Sequence, residues 1–336
     1  MIEIDGSKGG GQLLRSSLSL SAITKKPFKI TNIRGMREKG GLQHQHLTAV
    51  NAIAEICNAK VKGNTLHSRE LEFIPGDVKG GYYRFDIGTA GSTTLVLQTI
   101  LPALLREERE STIEVKGGTA NPMAVPIYDF RHVFLWYLKM LGINTMLSVV
   151  RHGFYPAGGG KIILNVKPCA KLNELNLIER KELDKICIYS VASKSLEKNK
   201  VAERLIDGFK KYFKDNNESL ETKISYVDTL SPGCFICAVA DYGNSRLGYT
   251  ALGKLGVKAE DIGKECTYGL LDEIKSNATV DHFTADQLLL YIALANGGSF
   301  TTSRITNHIK TNIEIIEKFI DVKFEIKENR IYCMGK

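Results

Sequence analysis

The stretch Arg151-His152-Gly153-Phe154-Tyr155-Pro156-Ala157-Gly158-Gly159-Gly160-Lys161 has a composition unlike that of a core strand or helix. Three consecutive glycines let the backbone adopt positive φ and let another backbone or a phosphate approach closely. Successive N–H groups in such a loop can form an anion-binding concavity, to which Arg151 and Lys161 add positive charge. The flanking segments 146–150 and 161–166 have the pattern of strands, so the stretch also fits a wide hairpin turn. Composition alone leaves both interpretations open.

A recurring pattern extends outward from this stretch in both directions. Three times, a polar or glycine-containing loop is followed by an apolar helix, a short strand, a second helix and a strand pair, which predicts a repeat architecture. The first copy has helices at 12–23 and 42–57 and strands at 28–33, 60–62 and 70–74. The second has a helix ending near 105, another at 127–141, and strands at 112–115, 145–150 and 161–166. The third has helices at 284–295 and 309–319 and strands at 299–302, 322–326 and 330–333.

The segment 178–277 interrupts this period and is richer in lysine and glutamate. Its own alternation predicts strands at 185–192, 222–227 and 235–240 and helices at 200–213 and 259–275. The sequence therefore predicts an α+β fold of three repeated βαβαββ-type units with a small inserted α/β domain. We expect a discontinuous large domain, 1–177 with 278–336, and a small inserted domain at 178–277.

The charge of the chain indicates a kind of partner, and its composition argues against a membrane protein. The formal net charge of +8 suits a polyanionic partner such as a nucleic acid or a nucleotide. No apolar run approaches the roughly 20 residues that a membrane span needs, and residues 1–5 lack the features of a signal peptide. We therefore expect a cytoplasmic protein with no membrane contact; the sequence leaves the oligomeric state open.

The seven cysteines are an odd number at scattered positions, which argues against a disulfide framework. Cys234 and Cys237 have C-x-x-C spacing, but no second pair lies at zinc-ligand spacing. Residues 235–239 have the pattern of a buried strand. We therefore predict neither redox nor metal chemistry at this pair.

The literal sequence of the opening stretch, and several segments far from it, are similar to the RNA 3'-terminal phosphate cyclase family. The similarity runs essentially the whole chain, through Asp5-Gly6-Ser7, Ile33-Arg34, Gln45-His46-Leu47-Thr48-Ala49-Val50, Gly88-Thr89-Ala90-Gly91-Ser92 and Thr284-Ala285-Asp286-Gln287 to His308. The resemblance implies three four-stranded, two-helix units, like the C-terminal domain of translation initiation factor three, with a smaller insert. It also implies ATP as co-substrate, a divalent cation (Mg²⁺ or Mn²⁺), and RNA with a 3'-phosphate end as partner.

His308 lies where a predicted strand gives way to the last predicted helix, 309–319. A neutral imidazole is a good nucleophile near pH 7, since its ordinary pKa is about 6.5, but a lone histidine in such a place is more often an exposed capping residue. The resemblance assigns His308 to the nucleotidylated histidine of the family, 22 residues after Asp286. Its implied role is to attack the α-phosphorus of ATP and hold AMP as a phosphoramidate.

A second group of residues is assigned to the nucleotide by the same resemblance. Asp286 lies near a helix N-terminus, where an aspartate can cap and complement the macrodipole, so it also has a local structural role. Gln98 lies among apolar residues and could equally bond to the backbone. The predicted ATP- and AMP-binding residues are Gln98, Val125, Pro126, Phe283, Thr284, Ala285, Asp286 and Gln287.

A third group is basic or polar. Arginine matches phosphate oxygens in bidentate geometry, and a reaction that joins two phosphates needs their repulsion offset. Any single arginine could also serve only solubility. The predicted contacts of the RNA phosphate or the triphosphate are Arg15, Arg34, Arg37, Gln45 and His46.

The N-terminal loop departs from the family pattern. Family members commonly have Gly-Glu-Gly-Gly-Gly-Gln there, with a glutamate that assists the metal, whereas residues 7–12 read Ser-Lys-Gly-Gly-Gly-Gln. Asp5, Glu38 or a phosphate-bound, water-rich cation could take over, or metal use could differ. The sequence assigns no protein metal ligand.

Two other functions compete with ATP-dependent conversion of RNA 3'-phosphates to 2',3'-cyclic phosphates. A catalytically inactive, cyclase-like RNA-binding or ribosome-assembly protein would lack the nucleotidylated histidine. An enolpyruvyl transferase of related architecture would have six repeat units rather than three. The histidine and the repeat number favour the cyclase.

Overall fold

The computed structural model describes residues 1–213 and 219–336 and has a mixed α+β architecture built on four-stranded sheets. The first sheet consists of β1 (Ile2–Asp5), β2 (Phe28–Thr31), β3 (Lys60–Lys62) and β4 (Leu71–Ile74). The second consists of β5 (Tyr82–Asp86), β6 (Ser111–Gly117), β7 (Thr145–Arg151) and β8 (Gly160–Val166). The third consists of β9 (Leu175–Leu177), β14 (Gly297–Thr301), β15 (Val322–Lys327) and β16 (Arg330–Gly335). The fourth consists of β10 (Lys185–Ser193), β11 (Ser219–Val227), β12 (Cys234–Asp241) and β13 (Arg246–Leu252). The predicted α+β class is confirmed.

The first three sheets share one pairing pattern. Their strand orders are β1-β2-β4-β3, β5-β6-β8-β7 and β9-β14-β16-β15, and the first two strands of each are parallel while the others pair antiparallel. A parallel pair needs a crossover connection, usually a helix. Between β9 and β14 the connection contains the whole fourth sheet, whose order is β11-β10-β12-β13.

Helices cover these sheets. They are α1 (Gly11–Thr24), α2 (His44–Ile56), α3 (Thr93–Leu104), α4 (Ile127–Asp129), α5 (Leu135–Met140), α6 (Val201–Tyr212), α7 (Ala259–Lys275), α8 (His282–Leu294) and α9 (Asn307–Phe319), with a π-helical turn at Phe130–Phe134. No helix in residues 1–213 and 219–336 is long and apolar enough to cross a membrane.

Two hydrophobic cores hold the elements together. The larger joins the first three sheets to their helices and includes Leu18, Phe28 and Phe319, each no more than 1% exposed. It also reaches the fourth sheet, through Phe235 and Val239 on β12. The smaller lies between the fourth sheet and helices α6 and α7, around Phe209 and Ile236. Burying each such side chain contributes about 1.5–3 kcal/mol. The Phe28 and Phe319 rings lie 6.2 Å apart, so the last helix of the chain packs directly on the first sheet.

Several boundaries differ from the sequence-based expectation. The pattern did not predict β1, β5, β9 or β13. β1 has four residues and β9 has three, and β13 contains the small residues Gly248 and Ala251. The helix expected at 127–141 is interrupted by the π-helical turn. The helix expected from 284 begins at His282, because Asp281 is its N-cap and accepts from the N–H groups of Phe283 and Thr284.

The stretch 151–161 forms the hairpin that joins β7 to β8. Both of its cations are engaged within the sheet: Arg151 Nε donates to the Gly159 carbonyl at 2.6 Å, and Lys161 Nζ lies 2.6 Å from Glu114 Oε2. The Ala157 N–H donates to Ser231 Oγ at 3.0 Å, which ties the turn to the segment before β12. The hairpin interpretation is therefore correct, and the anion-binding one is not supported.

Candidate functional site

A cavity of about 570 Å³ lies where the first turns of α1, α3, α8 and α9 meet. The loop 121–126 and strand β13 complete its walls. The side chains of Ser92, Asp281 and Thr306 cap α3, α8 and α9, whereas α1 has no side-chain cap. The free N–H groups and the positive dipole end at the start of α1 therefore favour an anionic ligand.

His308 lies at the start of α9, which begins there because Thr306 Oγ1 accepts from the Ile309 N–H at 3.2 Å. Its ring borders the cavity, with 54% of the side chain exposed. His308 Nδ1 lies 3.3 Å from Asp286 Oδ2 on α8. When Nδ1 carries the proton and donates to this carboxylate, Nε2 keeps its lone pair for nucleophilic attack.

Helix α1 fixes the backbone of His308. Gln12 Nε2 donates to Thr311 Oγ1 at 2.8 Å and to the His308 carbonyl at 3.3 Å. One turn later, Ser16 Oγ donates to Asn312 Oδ1 at 2.8 Å, so the two helices run parallel here. Asn312 Nδ2 in turn donates to the Asp286 carbonyl, which joins α1, α8 and α9 into one rigid frame.

Arg15 supplies positive charge from within this frame. Burial lowers the pKa of Arg15 to about 10, and the carboxylate of Asp286 opposes that shift. The guanidinium therefore stays charged at neutral pH. Arg37 is exposed at the cavity mouth, near the Gly10 backbone at the start of α1. The α1 N-terminus has no side-chain cap, so its first N–H groups are available to an anion beside these two arginines.

The predicted nucleotide residues come together at this cavity with one exception. Gln98 donates to Gln287 across the interface of α3 and α8, and Phe283 is 48% exposed at the mouth. Ala285 is fully buried in α8 and does not border the cavity. The predicted residues that border it are Gln98, Val125, Pro126, Phe283, Thr284, Asp286 and Gln287, together with His308.

The predicted phosphate residues separate into two groups. Arg15 and Arg37 border the cavity, whereas Arg34, Gln45 and His46 do not. Arg34 donates to the carbonyls of Lys39 and Gly41 and so holds its own loop.

Gln45 and His46 are engaged in structural contacts on α2. Gln45 Oε1 accepts from the Ser92 N–H at 2.8 Å, which joins α2 to the start of α3. His46 is 5% exposed, and its Nδ1 accepts from the Gln43 N–H at 3.2 Å in a capping box. Burial and the nearby charges of Arg15 and Arg34 lower the pKa of His46 to about 3, so its imidazole is neutral.

The sequence analysis missed one wall of the cavity. Thr250 and Leu252 on β13 border it, as does Asp129 at the end of α4. Asp281 fixes that wall, since it caps α8 and also accepts from the Gly248 N–H at 3.2 Å. Its burial and the nearby Glu273 carboxylate raise the pKa of Asp281 to about 8. A β13 prediction would have been needed to find these residues.

The donor set does not form a protein cage for a metal. No group of three or more His, Cys, Asp or Glu side chains within the described ranges is arranged to hold one. Asp5 is engaged by Ser7 and Asn32, whose hydrogen bonds lower its pKa to about 2. Gln12 Oε1 is buried with no hydrogen-bond partner among the described residues. Asp5 and Gln12 therefore do not form a set of metal ligands, and a divalent cation would have to be carried on ligand phosphates, the mode that Mg²⁺ commonly adopts.

Comparison with known proteins agrees with the motif similarity. A family model described as RNA 3'-terminal phosphate cyclase matches residues 7–326. The protein of that description from Sulfolobus acidocaldarius is 44% identical over 335 residues, covering 97% of each chain. The one from Pyrococcus furiosus is 41% identical over 329 residues, covering 97% of this chain and 95% of the relative. The one from Koribacter versatilis is 44% identical over 334 residues, covering 98% of this chain and 92% of the relative. The predicted family resemblance is confirmed.

Proposed function

The chain belongs to the RNA 3'-terminal phosphate cyclase family of enzymes, and from that premise we propose that it uses ATP to convert an RNA 3'-phosphate into a 2',3'-cyclic phosphate. The observation that carries the proposal is the pair His308 and Asp286 at 3.3 Å, on the border of a cavity large enough for a nucleotide. Arg15 and Arg37 border the same cavity and suit its phosphates.

In the first step, His308 Nε2 attacks the α-phosphorus of ATP. An N–P bond forms, the bond from the α-phosphorus to the bridging oxygen breaks, and pyrophosphate leaves. Asp286 holds the Nδ1 proton and stabilises the positive charge that develops on the ring, since a carboxylate beside an imidazolium favours the charged form. Gln12 and Thr306 support this step by fixing the turn that carries His308.

In the second step, an oxygen of the RNA 3'-phosphate attacks the phosphorus of the adenylyl-histidine, and His308 is released. The product is an RNA-(3')pp(5')A phosphoanhydride. In the third step, the neighbouring ribose 2'-OH gives its proton to water and its oxygen attacks the RNA phosphorus. The bond from that phosphorus to the bridging oxygen breaks, the cyclic phosphate closes, and AMP leaves with the electron pair. The requirement for a 2'-OH restricts ring closure to RNA ends.

Positive groups around the cavity support these phosphate transfers. Arg15, Arg37 and the uncapped α1 N-terminus can offset the repulsion between two phosphates that must approach each other. A divalent cation bound to the triphosphate would offset charge on the departing pyrophosphate, and Asp286 borders the cavity that the triphosphate would enter. Val125, Pro126 and Phe283 are the apolar and aromatic groups suited to pack on the adenine.

We also propose the domain division 1–177 with 278–336, and 178–277. The shared pairing pattern of three sheets supports three repeated units, and the separate core of the fourth sheet supports the insert. The boundary at 177 coincides with the end of β9.

The test is transfer of label from α-phosphate-labelled ATP to the protein, with Mg²⁺ or Mn²⁺ present. We expect acid-labile labelling of the unmodified protein and of His44→Ala, an exposed α2 histidine away from the cavity, and none of His308→Ala. Thermal unfolding of each variant controls for folding. Chasing the labelled protein with RNA that carries a 3'-phosphate should release AMP and give a cyclic end. Absence of label from all three proteins would contradict the mechanism and favour an inactive RNA-binding relative.

A further inference from the structure

The fourth sheet meets the second unit along a partly exposed surface, which we call the junction surface and which carries Arg131, His132, Trp136, Tyr189 and Lys223. Helices α6 and α7 pack on the opposite face of the sheet. On this face, α4 and the π-helical turn at 130–134 contact the sheet, and the register of β10 with β11 places Tyr189 beside Lys223. The surface therefore combines side chains of the segment 178–277 with side chains of the helix that precedes it.

Aromatic rings form the centre of the junction surface. The rings of His132 and Tyr189 are stacked, with centroids 4.2 Å apart and planes 11° from parallel. Trp136 follows His132 by four residues and is half-buried, and the Arg246 guanidinium lies 4.9 Å from its ring centroid. Arg246 also donates to the His132 carbonyl at 3.0 Å, which fixes the helix against β13. Partly exposed rings beside cations suit nucleic-acid bases, because every base has a π-face that can stack.

Two cations of the junction surface are not neutralised. Lys223 Nζ lies 5.6 Å from the centroid of the Tyr189 ring, and Arg131 is exposed on the π-helical turn. Neither has a carboxylate within ion-pair distance among residues 1–213 and 219–336, whereas Arg246 is paired with Asp241 at 2.7 Å. Arg131 and Lys223 therefore give this surface a net positive charge.

These cations lie close enough together to act on one group. Burial and the positive charges of Arg131, Arg246 and Lys223 lower the pKa of His132 to about 4, so its ring is neutral at pH 7. Because like charges held near each other raise the free energy of the folded chain, a polyanion that binds across them relieves the repulsion. The charge and the rings together fit a flexible polyanion that also carries flat bases.

The junction surface adjoins the cavity that contains the proposed nucleophile. Asp129 borders that cavity, and His132 and Trp136 follow it along the same helical segment. At about 1.5 Å of rise per residue, Trp136 lies about 10 Å beyond Asp129 along the helix axis. A strand whose 3' end enters the cavity therefore has its preceding nucleotides within reach of this surface.

We propose that the junction surface binds single-stranded RNA and holds the nucleotides that precede the 3'-phosphate. Arg131 and Lys223 contact backbone phosphates, and bases stack on the partly exposed rings of His132, Trp136 and Tyr189. A paired RNA end binds less well, since the bases of a duplex are stacked on each other and not free to splay out. The inference rests on the proposed function for the identity of the partner, and it gives the segment 178–277 a role in substrate binding.

Trp136 is the single tryptophan of the sequence, so its fluorescence reports directly on this surface. The full-length protein is titrated with an oligouridylate of about 12 nucleotides, a length within the range that single-strand sites cover. The oligonucleotide ends in a 3'-hydroxyl, which the proposed reaction cannot activate. Anisotropy of a labelled oligonucleotide measures the Kd in parallel. We expect binding to change the Trp136 fluorescence and to be at least tenfold tighter than that of a blunt RNA duplex of the same length.

The double substitution Arg131→Ala with Lys223→Ala should weaken binding at least tenfold. It should also lower the slope of log Kd against log salt concentration by about 1.4, because each phosphate neutralised on a single strand contributes about 0.7. Lys60→Ala with Lys62→Ala removes two exposed cations from β3 in the first sheet and is the matched control, which should change neither quantity. In cyclisation, the first double variant should raise the KM of a long RNA 3'-phosphate and leave that of a dinucleotide 3'-phosphate unchanged.

Three results would overturn the inference: binding that leaves the Trp136 fluorescence unchanged, duplex binding as tight as that of the single strand, or equal loss of affinity in the two double variants. Failure of label transfer from ATP with intact, Lys223-dependent binding of oligouridylate is a different result. It contradicts the proposed reaction and supports the RNA site.

Discussion

The chain has two glycine triplets, Gly9–Gly11 and Gly158–Gly160, whose composition is the same and whose surroundings differ. The first leads into α1, whose uncapped N-terminus lies beside Arg37 and whose next turn borders the cavity. The second closes the β7–β8 hairpin with Gly158 and Gly159 at φ values of 66° and 69°. A Cβ at Gly158 would lie 2.7 Å from the Ala90 Cα, whereas one at Gly10 would meet nothing closer than 3.8 Å. The helix that follows the first triplet, and not the glycines, makes it a candidate anion site.

The largest change in the free energy of unfolding should come from Gly158→Ala. Left-handed backbone costs a residue with a Cβ about 1–2 kcal/mol, and overpacking against fixed backbone costs about 1–3 kcal/mol more. We expect a loss of about 3 kcal/mol in the free energy of unfolding by chemical denaturation, with label transfer per folded molecule retained. Gly243→Ala is the matched control, since its φ is 74° and nothing lies within 4 Å of its Cβ position. A Gly158→Ala protein no less stable than this control would contradict the packing argument.

The next effect concerns pH, since each triplet lies near a buried histidine. A Cβ at Gly11 would collide with His46 Nε2, and His152 precedes Gly153, whose backbone packs against Gly160 in the β7–β8 hairpin. Burial lowers the pKa of His46 to about 3, with help from Arg15 and Arg34, and that of His152 to about 4.

Because both folded-state pKa values lie below the unfolded value of about 6.5, the unfolded chain takes up protons first as pH falls. Stability is therefore lost below about pH 6.5, and each histidine accounts for about 2 kcal/mol of the loss at pH 5. Chemical denaturation at pH 7.5 and pH 5 should show that His46→Gln and His152→Gln each lose about 2 kcal/mol less free energy of unfolding between these pH values than the unmodified protein does. Gln at position 46 keeps a capping-box residue. An unchanged pH dependence in both variants would show that these imidazoles are not buried neutral.

The smallest change in the free energy of unfolding should come from Gly10→Asp, and it should be a gain in stability where Gly158→Ala gives a loss. The new carboxylate would cap α1 and stabilise the fold by about 0.3–1 kcal/mol. We expect it also to occupy the α1 N–H groups that we propose bind a phosphate, and to pair with Arg37. The kcat/KM for cyclisation of an RNA 3'-phosphate should therefore fall at least tenfold. Gly10→Asn caps without charge, so its kcat/KM should fall less. Unchanged kcat/KM in Gly10→Asp would remove the α1 N-terminus from the proposed site.

Sequence reasoning found those parts of the site that lie within single motifs. The family resemblance assigned His308 to nucleotidylation and Asp286 to the nucleotide, and the structure places their side chains 3.3 Å apart. Segments matched by resemblance could not separate Arg37, at the cavity mouth, from Arg34, which bonds its own loop, because both lie in the same segment.

The missed wall has a physical reason. Asp129 and Thr250 are 121 residues apart, and β13 lacks the apolar alternation that predicts a strand. Their contact exists only because the fourth sheet packs on α4. The start of α8 was also misplaced: Asp281 caps the helix through the N–H groups of Phe283 and Thr284, and it accepts as well from the Gly248 N–H on that same sheet.

The bond between Gln12 and His308 joins positions 296 residues apart. Since chains are synthesised at about 5–20 residues per second, about 15–60 s pass between the appearance of the two residues on the ribosome. During that time the polar face of α1 that later binds α9 is exposed. The proposed nucleophile and its support are therefore brought together only near the end of translation, and an incomplete chain that lacks α9 also lacks His308.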